Sequence, residues 1–269
     1  MRRRADFGTA SLHLTLGLLA LACLALLILP TVIVIMVSFT SGFSLRFPPP
    51  GYSVRWYVGL LDAWQLQFAA LNSLKVAAWT TFLSVVLGVA AALGIARSQR
   101  LSAGMLDSLF MSPLILPGLS FGLGALIFFS LLGWPVSPLT LVIGHTIVCV
   151  PFVVRTTVAT LMQLDPALLE SSASLGASRW YTFRQVTLPL IGSGILAGGF
   201  LAFMSSFDNI PVSLFLRSAG TDMLPIRMWQ DLESLLDVQI AAVSGVMIVA
   251  TLVLMIIMER VAGLSRRLR

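Results

Sequence analysis

Residues 240–258 read Ile240-Ala-Ala-Val-Ser-Gly-Val-Met-Ile-Val-Ala-Thr-Leu-Val-Leu-Met-Ile-Ile-Met258, a stretch without a single charged residue. A helix that crosses the hydrocarbon core of a bilayer needs about 20 consecutive, mainly apolar residues. Five other segments are similarly apolar, so the sequence predicts six membrane spans, over about 12–37, 69–95, 106–131, 139–161, 190–213 and 239–261. The predicted fold class is an all-α polytopic membrane protein, in which residues 1–11 precede a single transmembrane domain over 12–269.

The composition of the chain excludes most soluble classes. Of its residues, 58% are hydrophobic and only 10% are charged, whereas a soluble domain carries about 25% charged residues. The net charge of +6 comes from arginines in short clusters between apolar runs. A nucleic-acid-binding protein would present a continuous basic face, so we expect the bilayer, and no nucleic acid, as the surroundings of this chain.

The distribution of basic residues predicts the orientation of the chain. Cytoplasmic loops of membrane proteins carry an excess of arginine and lysine. With the N-terminus in the cytoplasm, twelve of the 17 basic residues lie on the inner side and five on the outer side. We therefore expect both termini in the cytoplasm, with residues 1–11 as a short cytoplasmic N-terminus.

The longest predicted cytoplasmic loop has the capping residues of two short helices that meet at an angle. Asp165 can cap the first helix and Pro166 is preset for its first turn. Gly176 supplies a C-terminal cap. Ser178 can cap a second helix, which we expect to end before Pro189. An interfacial hairpin that only connects two spans would need the same caps, so capping alone does not assign a function to the loop.

The spacing of residues within this loop is more specific. From Glu170 the sequence has Glu-Ser-Ser, three residues, Gly176, nine residues, and then Val-x-Leu-Pro. This run resembles the EAA loop of bacterial ABC importer permeases, whose pattern is Glu-Ala-Ala, three residues, Gly, nine residues and Ile-x-Leu-Pro. Ser171 and Ser172 replace the two alanines, and Val186 replaces the isoleucine. Small side chains are thus kept at both alanine positions.

The resemblance implies a fold, a location and a set of partners. It implies a type I ABC importer permease in a bacterial inner membrane, in which the loop 162–189 seats in a groove of an ATPase. The expected partners are two copies of an ATP-binding subunit, a second homologous permease that forms a heterodimer with this chain, and an external solute-binding protein. The residues expected to couple the chain to the ATPase are Asp165, Pro166, Glu170, Ser171, Ser172, Gly176 and Arg179.

ATP is expected to act through the partner subunit. A phosphate-binding loop needs Gly-x-x-x-x-Gly-Lys-[Ser/Thr], and Lys75, the only lysine, lacks that glycine frame. We therefore expect a non-catalytic transport subunit without a cofactor or metal of its own, with ATP and Mg²⁺ bound by the ATPase. The alternative function is a stand-alone secondary transporter driven by an ion gradient. Such a transporter would show repeated halves and charged sites at mid-membrane, and neither is evident in the sequence.

Three further stretches are similar to the spermidine/putrescine-type branch of these permeases. They are Ser112-Pro-Leu-Ile-Leu-Pro-Gly118, His145-Thr…Pro151-Phe-Val-Val-Arg155, and Ser206-Phe-Asp-Asn-Ile-Pro-Val-Ser-Leu-Phe215. The similarity covers residues from about 60 to 269. It implies a small polar solute, with a polyamine-like cation as the first candidate.

The candidate residues of the solute path are Ser206, Asp208, Asn209, Pro117 and His145. A carboxylate that faced lipid would be costly, so Asp208 is expected to face a cavity or the bundle interior. A place at the membrane interface, with hydrogen bonds at a helix end, fits Asp208 equally well. A lone histidine in a span is more often a hydrogen-bonded packing residue than a ligand, and that interpretation is favoured for His145.

Proline and glycine predict how the third and fifth spans are built. Pro113, Pro117 and Gly118 predict a broken or kinked third span. A backbone that is not helical within a membrane persists only against protein or a water-filled cavity, which is why Pro117 is a path candidate. Gly118-Leu-Ser-Phe-Gly122 also fits a serine-nucleophile pattern, but that chemistry needs a strand–turn–helix elbow. Close helix packing is the favoured interpretation of these glycines and of Gly194-x-x-x-Gly198.

Overall fold

The computed structural model describes residues 7–97, 102–218, 220–235 and 237–262. Within them the chain is almost entirely helical, and its helices are α1 (Phe7–Ser38), α2 (Arg55–Gly59), α3 (Trp64–Arg97), α4 (Ser102–Ile115), α5 (Gly118–Leu131), α6 (Pro138–Leu161), α7 (Pro166–Ser174), α8 (Arg179–Thr182), α9 (Leu188–Phe207), α10 (Ile210–Leu216), α11 (Leu224–Leu235) and α12 (Gln239–Ala262). A π-helical segment, Phe183–Thr187, lies between α8 and α9.

In the part of the chain that the structure describes, five stretches of helix are long and apolar enough to cross a membrane, namely Leu12–Ser38, Trp64–Ala96, Pro138–Leu161, Arg179–Phe207 and Gln239–Val261. The pair α4 and α5 passes the same test together but is bent by 101°. Counted as one broken span, this pair makes six, the number that the sequence predicts. The all-α membrane fold is thereby confirmed.

The break between α4 and α5 follows from Pro117. A proline has no N–H to donate, and it disfavours helical backbone in the residue before it. Pro117 adopts φ −57° and ψ 125° and precedes the first residue of α5. Pro113 stays inside α4. The predicted break in the third span is therefore confirmed, and Pro117 is the proline that produces it.

The fifth span differs from its prediction at both ends. The second short helix of the loop does not end before Pro189, because α8 continues through the π segment into α9. The wider turn of a π-helix accommodates a proline just beyond it, where the missing N–H breaks no regular α-helical hydrogen bond. At its other end the span stops at Phe207, not at residue 213, and α10 is a separate helix.

The chain divides into two compact units. One contains residues 1–63 and 231–251, and the other contains residues 64–230 and 252–269. The single transmembrane domain expected over 12–269 stays a prediction.

In the first unit, polar and aromatic contacts hold the segment that follows α1 in place. Ser38 Oγ and Tyr57 Oη are 2.7 Å apart, and Gly245 of α12 leaves room for both side chains. The Arg55 guanidinium lies 4.0 Å from the ring centre of Phe43 and also stacks on Trp56. Cation–π contacts of this kind fix the loop that follows the first span.

In the second unit, α3, α6 and α9 pack against one another through glycines. A Cβ on Gly88 would lie 2.7 Å from Val153 Cβ, and a Cβ on Gly198 would lie 2.7 Å from Val153 Cα. A Cβ on Gly194 would lie 2.7 Å from the Thr156 carbonyl oxygen. Small residues let helix backbones approach closely where lipid offers no hydrophobic drive. The packing role predicted for Gly194 and Gly198 is confirmed.

The short helix α10 packs on α5 in the same way. A Cβ on Gly122 would lie 2.7 Å from the Pro211 carbonyl oxygen, and one on Gly118 would lie 3.0 Å from Pro211 Cβ. The two glycines of the serine-nucleophile pattern thus serve as a contact surface between helices. Packing, and not an enzyme elbow, explains that motif.

Candidate functional site

The loop between α6 and α9 has the local structure that its capping residues predict. The Ala167 N–H donates to Asp165 Oδ1 at 2.9 Å, and Pro166 begins α7. Gly176 has φ +79° and terminates the turn after α7, a conformation that side chains other than glycine rarely adopt. The Tyr181 N–H donates to Ser178 Oγ at 3.2 Å. These three caps set the direction of α7 and α8.

A hydrogen bond that the sequence did not indicate joins the two short helices. Ser172 Oγ and Thr182 Oγ1 are 2.8 Å apart and half-buried. Ser172 stands where the family pattern has alanine, so a methyl group there could not form this bond. The serine therefore adds a side-chain link between α7 and α8 while it keeps the small size of the position.

Most of the residues expected to couple this chain to an ATPase are exposed on this loop. Asp165, Glu170, Ser171 and Arg179 are exposed, and Ser172 is half-buried. Apolar side chains are exposed beside them, with Leu175 88% and Trp180 68% accessible. Exposed apolar residues next to charged ones are typical of a protein interaction surface.

Three of the path candidates, Ser206, Asp208 and Asn209, lie at the other end of the span, where α9 ends and α10 begins. Asp208 follows the last residue of α9, and its side chain is exposed. Asn209 caps α10, because its Oδ1 accepts from the Val212 N–H at 3.0 Å. We call residues 207–210 the α9–α10 corner. This cap is the reason why the fifth span ends earlier than predicted.

His145 and Ser206 meet in the interior of the second unit. His145 Nδ1 lies 2.9 Å from Ser206 Oγ, and its Nε2 lies 3.0 Å from Ser213 Oγ. All three side chains are buried. The structure thus places His145 as a hydrogen-bonded packing residue, the interpretation that the sequence favours. Ser213 was not singled out from the sequence, although it lies in the same stretch as Ser206, seven residues later.

Pro117 is exposed and lies directly before the first residue of α5. It is not one of the three residues that the hydrogen bonds of His145 join. Its helix reaches the corner through Gly118 and Gly122, which contact Pro211. The broken span and the α9–α10 corner are therefore neighbours.

Among the residues that the structure describes, no three His, Cys, Asp or Glu side chains are grouped so as to hold a metal ion.

The loop and the corner lie at opposite ends of one continuous helical stretch. Arg179–Phe207 contains 29 residues, which at 1.5 Å per residue spans about 40 Å. A bilayer with its headgroup regions is about 40–45 Å thick. The exposed surface around Glu170 and the corner around Asp208 are thus placed for opposite sides of the membrane.

Comparison with known proteins gives the family. A family model described as binding-protein-dependent transport system inner membrane component matches residues 84–268. The spermidine/putrescine transport system permease protein PotC of Escherichia coli (strain K12) is 30% identical over 246 residues, which cover 90% of this chain and 91% of that protein. The putrescine transport system permease protein PotI of the same strain is 30% identical over 223 residues, covering 80% of this chain and 79% of that protein.

A solved structure shares the fold. A chain of a bacterial ABC transporter involved in the import of the acidic polysaccharide alginate superimposes with a TM-score of 0.71 over 97% of this chain and 99% of that chain, at 13% identity. The capped loop, the broken span and the family match over more than half of the sequence agree with one another. The chain belongs to the binding-protein-dependent transport system inner membrane components and is a multi-pass permease of the inner membrane.

Proposed function

We propose that this permease forms the path of a polyamine-type cation through the membrane and that separate ATPase subunits drive it through the loop 162–189. The observation that carries the proposal is the capped, exposed surface of α7 and α8 at one end of the Arg179–Phe207 span. Any movement imposed on α8 passes directly into α9, because no loop separates them. ATP and Mg²⁺ are bound by the partner in this proposal, and the chain itself carries no cofactor.

The proposed assembly contains two ATP-binding subunits, a second homologous permease and an external solute-binding protein. Its orientation rests on the twelve basic residues expected on the inner side against five on the outer side. In this orientation both termini and the coupling residues face the cytoplasm. The α9–α10 corner then faces the side from which the binding protein delivers its solute.

The proposed solute class rests on the corner and on the relatives. PotC and PotI are named as permeases for spermidine or putrescine. In this chain the Asp208 carboxylate is exposed at the corner, while the Asp222 carboxylate forms an ion pair with Arg217. An exposed carboxylate beside a broken span is suited to a primary ammonium group. We assign Asp208, with Asn209 beside it, to the solute path.

The test is uptake of radiolabelled putrescine into proteoliposomes that hold the complete complex. We expect uptake to require both ATP and the loaded binding protein, and Asp208→Asn to lower uptake at least about tenfold, since a charge-assisted hydrogen bond contributes about 1.5–3 kcal/mol. Asp62→Asn, an exposed carboxylate in the first unit, serves as the matched control and should leave uptake unchanged. Uptake driven by an ion gradient without ATP would instead support the secondary transporter.

A further inference from the structure

The cluster of His145, Ser206 and Ser213 joins three helices at one point. His145 lies in α6, Ser206 in the last turn of α9, and Ser213 in α10. The imidazole nitrogens are 2.9 and 3.0 Å from the two hydroxyl oxygens. His145 and Ser206 are completely buried and Ser213 is 1% exposed. Ser206 directly precedes the α9–α10 corner, and Ser213 follows the end of the corner by three residues.

The two hydrogen bonds of His145 use both ring nitrogens, so that neither nitrogen is left to bind a solute. A neutral imidazole has one N–H donor and one bare nitrogen that accepts. One serine therefore accepts from the ring, and the other donates its hydroxyl hydrogen to the ring. Both nitrogens are occupied, so His145 does not act as a ligand in this conformation. Removal of the ring would take a hydrogen-bond partner from two buried hydroxyls. The loss of a hydrogen bond costs more free energy for a buried group than for an exposed one.

The helix α10 is also held by close packing against α5 and α6. Gly122 of α5 lies against Pro211 and Phe215, and Gly144 of α6 lies against Leu216 and Val212. These are close packing contacts, and the one at Gly122 includes the Pro211 carbonyl oxygen. The hydrogen bonds of His145 are directional, and they are the polar contacts seen between α6 and the two serines that bracket the corner. Together with the packing contacts, they therefore set the position of the corner along α6.

We propose that His145 is a positioning residue for the solute path, which holds the α9–α10 corner against α6 and thereby sets the place of the Asp208 carboxylate. The proposal rests on the proposed function for the role of Asp208. It revises the expectation that His145 itself lines the path. The residue acts on the solute through the corner and does not touch it.

The test uses three replacements of His145, which retain one of its two hydrogen bonds, the other, or neither. The side-chain amide of His145→Asn reaches the place of Nδ1, which faces Ser206, and that of His145→Gln reaches the place of Nε2, which faces Ser213. His145→Leu retains neither bond. The matched control is Thr146→Val, because the buried Thr146 hydroxyl donates only to the Val142 carbonyl of its own helix among the contacts seen.

We expect His145→Leu to lower the kcat of putrescine uptake about tenfold, the effect of losing about 1.4 kcal/mol, with an unchanged KM for the loaded binding protein. The asparagine and glutamine variants should lie between leucine and the original chain, and Thr146→Val should match the original chain. A wild-type kcat in His145→Leu would overturn the proposal. So would amide variants as impaired as leucine, with the thermal midpoint lowered in proportion, since that pattern indicates a purely structural role. Should the leucine variant not assemble, the two amide variants provide the same comparison.

A second readout does not depend on the solute. A nitroxide label on Asp208→Cys, in a Cys23→Ser background that removes the exposed cysteine, reports the mobility of the corner. We expect His145→Leu to increase that mobility and Thr146→Val to leave it unchanged. Equal mobility in both variants would contradict the positioning role. Failure of ATP-driven putrescine uptake in the original complex would refute the proposed function instead and leave this measurement valid.

Discussion

Glu170→Arg is expected to uncouple ATP hydrolysis from solute uptake while the chain still inserts and folds. Glu170 is exposed in the middle of α7, and glutamate and arginine have similar helix propensities, so α7 itself should persist. A reversed charge placed at the centre of an interface costs several kcal/mol when it meets a like charge or loses its partner. We expect uptake to fall at least about tenfold.

The measurement is putrescine uptake and stimulated ATPase activity in the same proteoliposomes, with co-purification of the ATPase as a check on assembly. Glu233→Arg makes the same charge reversal at an exposed site in α11 and should change neither activity.

Gly176→Val is expected to uncouple hydrolysis from uptake as well, because a β-branched residue is strained at φ +79°. Its control is Gly133→Val, which meets the same strain at φ +69° outside the loop. Unchanged uptake and stimulation in both loop variants would refute the coupling role.

Gly198→Leu is expected to prevent α6 and α9 from packing. A Cβ at this position would lie 2.7 Å from Val153 Cα and 3.3 Å from the Phe152 carbonyl oxygen. These are backbone atoms of α6, so no side-chain rotation can relieve the clash, and the helices must separate. Overpacking in a core costs about 1–3 kcal/mol, and we expect the upper end of that range.

The measurement is the thermal midpoint of the purified chain in detergent, together with the yield of folded protein. The matched control is Gly192→Leu in the same helix, because a Cβ on Gly192 would meet nothing within 4 Å. The expected result is a large loss of stability for Gly198→Leu and a small one for Gly192→Leu. Equal losses in the two variants would contradict this account, because leucine favours a helix more than glycine does and only Gly198 contacts the α6 backbone.

Local chemistry made the loop predictable from the sequence. A side-chain cap acts over two or three residues, so Asp165, Gly176 and Ser178 indicate their own conformations without reference to the rest of the fold. Pro117 likewise breaks its own span. Each of these expectations depends on neighbours in the sequence, and the structure confirms each of them.

The differences from prediction have both local and distant causes. The sequence predicts that the second loop helix ends before Pro189, but the π segment before this proline lets α8 and α9 join. The apolar run to residue 213 suggests one span, whereas the Asn209 cap creates a separate α10. The partners of His145 lie 61 and 68 residues further along the chain, and no spacing rule connects such positions. Apolar composition indicates that a segment enters the membrane, but not where a polar side chain within it finds a partner.

The most direct test of the coupling surface is a photo-crosslink from the loop. A benzoylphenylalanine at Leu175, 88% exposed beside the coupling residues, is expected to form a covalent adduct with an ATP-binding subunit in the intact complex. The same probe at Trp134, 49% exposed in the turn between α5 and α6, is the control and should give no ATPase adduct. An ATPase adduct from position 134, with none from position 175, would contradict the account.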